Sequence, residues 1–224
     1  MTTMRRHDAP SKPKETGSAM KTTPSRRFGL WLLLGFLGIT IAAYWPGLSG
    51  GWLFDDYPNI VDNHGVQPQS VSVASLANAA LSSPSSSFKR PLASLSFAAN
   101  YLAGGLDPYG WKLVNLVIHL LNGLLVFMLA RRLLIVTGAV APTSAGTQGT
   151  PEAARTGGQR ADLIAALIAG GWLLLPINVT AVLYVVQRME SLANLFVMLG
   201  LVGYVAGRRR MLANATARSS AGSP

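Results

Sequence analysis

The sequence predicts an all-α, polytopic membrane protein with about four transmembrane helices and a large outer loop carrying amphipathic helices. Three observations carry that prediction. Half of the 224 residues are hydrophobic and only 12% are charged, whereas soluble domains carry about 25% charged residues. Uncharged apolar stretches occupy residues 28–45, 113–130, 163–186 and 191–207, and a bilayer core of about 30 Å needs about 20 helical residues to cross it. The 19 Lys and Arg residues are shared unevenly among the polar segments between these stretches. On a soluble chain a net charge of +10 would suggest nucleic acid; here it follows topology, and no nucleic-acid partner is expected. The absence of cysteine excludes disulfides, thiolate metal sites and thiol nucleophiles, so any metal would have to use carboxylate or imidazole.

Residues 1–27 form a basic, Pro- and Thr-containing tail with a disordered composition. The first apolar stretch is long for the core of a signal peptide, and no small-x-small site follows Trp45, so it reads as an uncleaved anchor. Residues 46–111 are a long connection rich in aromatic residues, among them Trp52, Phe54, Tyr57, Phe88, Phe97 and Tyr101, which argues for an ordered outer segment. Within it, Leu92, Leu95, Ala99 and Leu102 recur at helical spacing and predict an amphipathic helix on the membrane surface. Residues 70–81 predict a second short helix, with a break at 84–87. After the second span, residues 137–160 have a linker composition of Gly, Ala, Thr and Pro. The third span contains Pro176, which bends a helix. The fourth ends before Arg208–Arg210 and an Ala- and Ser-rich tail at 208–224. Lys and Arg number seven before the first span, then three, four, one and four in the successive polar segments. Cytoplasmic loops retain basic residues, so both termini are predicted to be cytoplasmic and residues 46–111 to face outward. The membrane domain is then 28–207, and the location expected is a bacterial inner membrane.

Three sets of residues could carry chemistry. Asp55 and Asp56 follow the first span among aromatic residues; two neighbouring carboxylates can act as a general base or hold a divalent cation such as Mg or Mn, or simply form a capped turn before Pro58. Lys112, Asn115, His119 and Asn122 fall at intervals of three, four and three, on one face of the second span. That face should meet protein or a wet cavity rather than hydrocarbon; it would either pack helices or line a path for substrate. Finally, Lys89-Arg90 and the group Gln187, Arg188 and Glu190 stand at the outer surface. An Arg there could hold phosphate through its planar fork or extend to lipid headgroups.

Taken in order, these phrases resemble a known family. Asp55-Asp56, Arg90-Pro91-Leu92, Asp107-Pro108-Tyr109-Gly110-Trp111-Lys112-Leu113-Val114-Asn115, His119-Leu120-Leu121-Asn122 and Tyr184-Val185-Val186-Gln187-Arg188-Met189-Glu190-Ser191-Leu192 look like the N-terminal part of GT-C class membrane glycosyltransferases. They are most similar to the transmembrane and tetratricopeptide repeat-containing O-mannosyltransferases and their bacterial relatives. The resemblance implies transfer of a sugar from a polyprenyl-phosphate carrier to an acceptor, such as a protein hydroxyl, at the outer face of the bilayer. It implies Asp55 or Asp56 as base or metal ligand and Arg90 or Arg188 as the group that meets the carrier phosphate; Lys112, His119, Gln187 and Glu190 stand beside them as further candidates for substrate binding. Leu175 stands before Pro176 where relatives commonly have His, so no role for that imidazole carries over. Relatives have many more spans, and the chain is therefore expected to be a fragment or a degenerate copy that does not turn over alone. The rival reading is a non-catalytic membrane protein whose outer loop binds a partner. A channel or transporter is disfavoured because the spans lack charged residues and repeat symmetry.

Overall fold

A computed structural model describes residues 26–85, 89–140 and 150–221. The expected basic tail lies almost wholly outside these residues, as does Phe88. Seven α-helices occur among the described residues: α1 Arg26–Tyr44, α2 Val73–Ala80, α3 Pro91–Gly104, α4 Pro108–Val136, α5 Pro151–Leu173, α6 Val179–Leu183 and α7 Arg188–Ala221. No strand occurs among them, and the protein is an all-α polytopic membrane protein as its composition predicts.

Three segments, Phe28–Ser49, Pro108–Val136 and Val185–Ala215, are each long and apolar enough to cross a bilayer. The pair Pro151–Leu173 and Pro176–Leu183, bent by 54°, makes a fourth if counted as one broken span. Two boundaries differ from the sequence reading. Residues 151–160, read as linker, are the first turns of α5: Thr150 caps Ala153 N at 3.2 Å, Pro151 occupies the first helical position and Glu152 the first turn, a complete helix-start signal inside a loop-like composition. The tail read from 208 onward continues α7 to Ala221, since Met211, Leu212 and the alanines after them are good helix formers.

α4 is central, packed against both α5 and α7, with α1 resting on α5. Close approach is achieved by small residues, as is usual where lipid supplies no hydrophobic force between helices. A Cβ on Gly170 would lie 2.2 Å from the Phe36 ring, and one on Gly123 would lie 2.5 Å from Leu173. Leu33, Val126, Phe127, Ala165, Ala166 and Ala169 form the mid-bundle core. A second core, at the end of the bundle that carries residues 46–111, joins Ile60, Val66, Phe97, Trp111, Val185 and Met189. Where such a core meets water, each aromatic ring removes about 150–250 Å² from solvent, worth roughly 4–6 kcal/mol at about 25 cal/mol per Å².

Helix α2 begins at Ser72, whose side chain caps Ser75 N at 3.1 Å, within the region predicted. Helix α3 also forms where expected but turns the other way from a core helix. Ala93, Ser94, Phe97 and Ala98 are buried, while the apolar set at Leu92 and Leu102 is 60% and 38% exposed. That stripe faces away from the protein, the orientation required of a helix lying on a bilayer.

Candidate functional site

The acidic turn, the polar face of α4 and Arg90 meet on one short segment, residues 184–190. Each is tied to it by a side chain.

Asp55 and Asp56, adjacent in sequence, have different environments. Asp56 is fully buried; its Oδ1 accepts Val186 N at 2.7 Å and its Oδ2 accepts Leu53 N at 3.0 Å. Burial pushes its carboxyl above the ordinary value, against the opposing pull of those backbone N–H groups and of the Lys112 charge. Asp55 is exposed, and its backbone N–H donates to the Tyr184 hydroxyl at 2.8 Å. Between Leu53 and Asp55, Phe54 adopts φ 31° and is 83% exposed, a left-handed conformation that costs about 1–3 kcal/mol for a non-glycine residue. Asp56 thus closes on backbone, while Asp55 lies at the surface. The Asp55 carboxylate is exposed beside the Tyr184 hydroxyl.

Arg188 is the most fully engaged side chain. It is buried completely. Its Nε donates to Asn115 Oδ1 at 2.7 Å, one terminal nitrogen to Ser96 O at 3.2 Å, and the other to Asn100 Oδ1 at 2.9 Å and Trp111 O at 2.8 Å. Its guanidinium carbon lies 5.1 Å from the Phe97 ring centroid and 5.5 Å from that of Trp111, within cation–π range. A guanidinium spent this way has little left for a phosphate. Arg188 instead binds α3, α4 and α7 into one unit.

The four polar residues of α4 turn inward, as their spacing predicts, and all are buried. Each donates to backbone carbonyl oxygen outside its own helix. Lys112 Nζ reaches Gly51 O at 2.9 Å, Asn115 Nδ2 reaches Val185 O at 3.3 Å, His119 Nε2 reaches Leu173 O at 3.0 Å and Asn122 Nδ2 reaches Ser191 O at 3.0 Å. The need for His119 follows from Pro176, because the α5 carbonyls lose their normal donors where the chain bends. Trp172 O, four residues before a proline that has no N–H, is served by Asn178 Nδ2 at 2.7 Å, and Leu173 O by His119. His119 also stacks on Trp172 with ring centroids 5.0 Å apart. Lys112 and His119 are thus each bonded to a backbone carbonyl of another segment.

Arg90 is different again. Its side chain is 41% exposed, bridges to Glu190 at 3.1 Å and contacts Met189 Sδ at 3.3 Å. Arg90 and Lys89 have φ of 41° and 60°, so the chain enters α3 at Pro91 through two left-handed residues. Arg90, Glu190, Leu92, Leu192, Ala193 and Phe196 line a groove of about 340 Å³. One end is charged and the walls are apolar. Gln187 is half-buried beside it in sequence, with its backbone N–H bonded to Tyr184 O at 3.2 Å.

A divalent cation takes about six oxygen ligands. The carboxylate pair expected to hold one is split between buried and exposed settings, and among the described residues no three His, Asp or Glu side chains gather as a ligand group. These residues do not complete a cation site. The sequence assigns no role to Tyr184, Asn100 and Trp111, since a tyrosine hydroxyl serving an amide 129 residues away leaves no local pattern.

No family model and no solved structure matches the chain. Curated relatives do. Protein O-mannosyl-transferase Tmtc1 of Drosophila melanogaster is 35% identical over 127 residues, covering 54% of this chain and 15% of the relative. Protein O-mannosyl-transferase TMTC4 of Homo sapiens is 29% identical over 182 residues, covering 78% and 23%, and TMTC3 of Mus musculus 27% identical over 173 residues, covering 75% and 16%. The chain thus spans less than a quarter of the length of these relatives. Across most of its own length it resembles the transmembrane and tetratricopeptide repeat-containing O-mannosyltransferases.

Proposed function

We propose that this chain forms part of a membrane glycosyltransferase that moves a sugar from a polyprenyl-phosphate carrier to a protein hydroxyl at the outer face. The observation that supports it is the 184–190 segment, which holds an exposed carboxylate, Asp55, and a charged, apolar-walled groove at Arg90 on one rigid frame. The relatives' names carry mannose and a protein acceptor, and both enter the proposal.

The chemistry asks for a base and for help to a leaving phosphate. The acceptor oxygen forms a bond to the anomeric carbon, the bond from that carbon to the carrier phosphate breaks, and the hydroxyl proton passes to Asp55. Arg90 faces the departing phosphate, and Leu92, Leu192 and Phe196 run beside the prenyl chain. Arg90 must exchange Glu190 for phosphate, which costs little because an exposed ion pair contributes about 0–1 kcal/mol. Asp56 and Arg188 position the frame and touch no reactant.

The test is retention of a polyprenyl-phosphate mannose by the purified chain in nanodiscs, together with mannosyl transfer to peptide in membranes carrying the chain. Arg90→Gln should lower retention about tenfold, the value of one charge-assisted hydrogen bond, whereas Asp55→Asn should leave retention intact and remove transfer. Equal retention by Arg90→Gln, or undiminished transfer by Asp55→Asn, would defeat the assignment.

A further inference from the structure

A second cavity lies at the opposite end of the bundle. It measures about 440 Å³ and is lined by Arg131 and Arg132 of α4 and by Ala206, Arg209, Arg210 and Ala213 of α7. Four arginines around one space repel one another unless something answers their charge. Two are answered within the protein: Arg131 pairs with the buried carboxylate of Asp162, and Arg132 donates to Val202 O at 2.7 Å. Arg209 and Arg210 are exposed and have no hydrogen-bond or ion-pair partner among the described residues.

The place of this cavity follows from the register of its two walls. Asn115 meets Arg188, Asn122 meets Ser191 and Arg132 meets Val202, so α4 and α7 run parallel from the outer end. Arg131 lies ~35 Å along α4 from Pro108, and Arg209 ~32 Å along α7 from Arg188, at about 1.5 Å per residue. Both distances match the thickness of a bilayer core, about 30 Å, and put the arginines where the apolar stretches end and headgroups begin. Ala206 and Ala213 leave the space open, and the neighbouring Leu133, Leu201 and Tyr204 side chains are 43%, 44% and 69% exposed, apolar surface level with the start of acyl chains.

We infer that this cavity binds the phosphate of an anionic phospholipid headgroup, held by the free forks of Arg209 and Arg210 and oriented by the fixed Arg131 and Arg132. A guanidinium fork matches phosphate oxygens bidentately, and basic pockets between transmembrane helices are suited to such headgroups. The assignment is independent of the outer site and of any transfer reaction.

The experiment uses the full chain in nanodiscs of phosphatidylcholine doped with phosphatidylglycerol, with retained lipid counted by native mass spectrometry. Phosphatidylglycerol should be retained selectively by the wild-type chain and about tenfold less by Arg209→Gln/Arg210→Gln. Arg208→Gln, one residue outside the lining, should retain it fully. The pair Arg209→Lys/Arg210→Lys keeps charge and fold while removing the fork, and should fall between. Equal retention of the two lipids, or the same loss from Arg208→Gln as from the glutamine pair, would overturn the site. Displacement of phosphatidylglycerol by inorganic phosphate at equal concentration would assign the cavity to free phosphate and overturn the lipid.

Discussion

Two adjacent aspartates with different surroundings show how much one side-chain environment decides. Burial raises the Asp56 carboxyl above its ordinary value, so folding favours its protonated form relative to the unfolded chain. A carboxyl raised on folding binds protons more tightly folded than unfolded, and its contribution is full below the unfolded value near 3.8 and declines as pH rises through the folded value. Thermal unfolding in detergent should show the wild-type midpoint falling over that window relative to Asp56→Asn, whose amide does not titrate. A parallel pH course for the two proteins would show Asp56 to be unshifted. Asn keeps one acceptor oxygen and loses the other, so one of the N–H groups of Leu53 and Val186 loses its partner, at a cost of about 1–3 kcal/mol. Asp55, one residue away and exposed, carries no such structural duty. Nothing in the dipeptide itself distinguishes the two; the turn that places Asp56 against Val186 does.

Among elements, the Arg188 guanidinium at the start of α7 bonds to α3 and α4 at once. Arg188→Ala would take the donor from the amide oxygens of Asn115 and Asn100, at about 1–3 kcal/mol for each buried acceptor left unpaired, and would leave a void beside Phe97 and Trp111. Arg188→Lys should rescue little, because one ammonium cannot span acceptors arranged around a planar fork. Unfolding midpoints, and protease cleavage within 91–107, should both report the loss, with α3 released while the mid-bundle core persists. Stability within about 0.5 kcal/mol of wild type for Arg188→Ala would mean that α3 is held by Phe97 and Trp111 packing alone. The bend between α5 and α6 follows the same principle. Pro176 breaks the helix, and Asn178 and His119 supply the donors that the break removes.

For the whole molecule, the parallel pairing of α4 with α7 and the return through α5 and α6 place Arg131, Asp162 and Val202 at one end and residues 46–111 at the other. The distribution of Lys and Arg predicts that the first of these ends is cytoplasmic. Because the chain has no cysteine, single cysteines at Val71 and Met211, which are 77% and 65% exposed, can be labelled cleanly. A membrane-impermeant maleimide on intact cells should modify Val71→Cys at once and Met211→Cys only after permeabilisation. The reverse pattern would invert the topology, and labelling of both in intact cells would put the two ends on one side.

Sequence alone determined the helical class, the four apolar stretches, the inward turn of Lys112, Asn115, His119 and Asn122, and the family likeness, because these rest on period, length and local phrases. It also located α2 and α3, whose cap at Ser72 and proline at 91 are local signals. The extent of α5 was less legible, since a cap at Thr150 lay inside a linker composition. Only tertiary structure decided that Asp55 is exposed and Asp56 tied to backbone, that Arg188 is buried in a hydrogen-bond network and Arg90 half-exposed against Glu190, and that α3 turns Leu92 and Leu102 outward. Each of these depends on partners from tens to more than a hundred residues away in the chain. A side chain's charge and reach are written in its own residue, but which groups desolvate it and accept its protons is settled when distant segments pack.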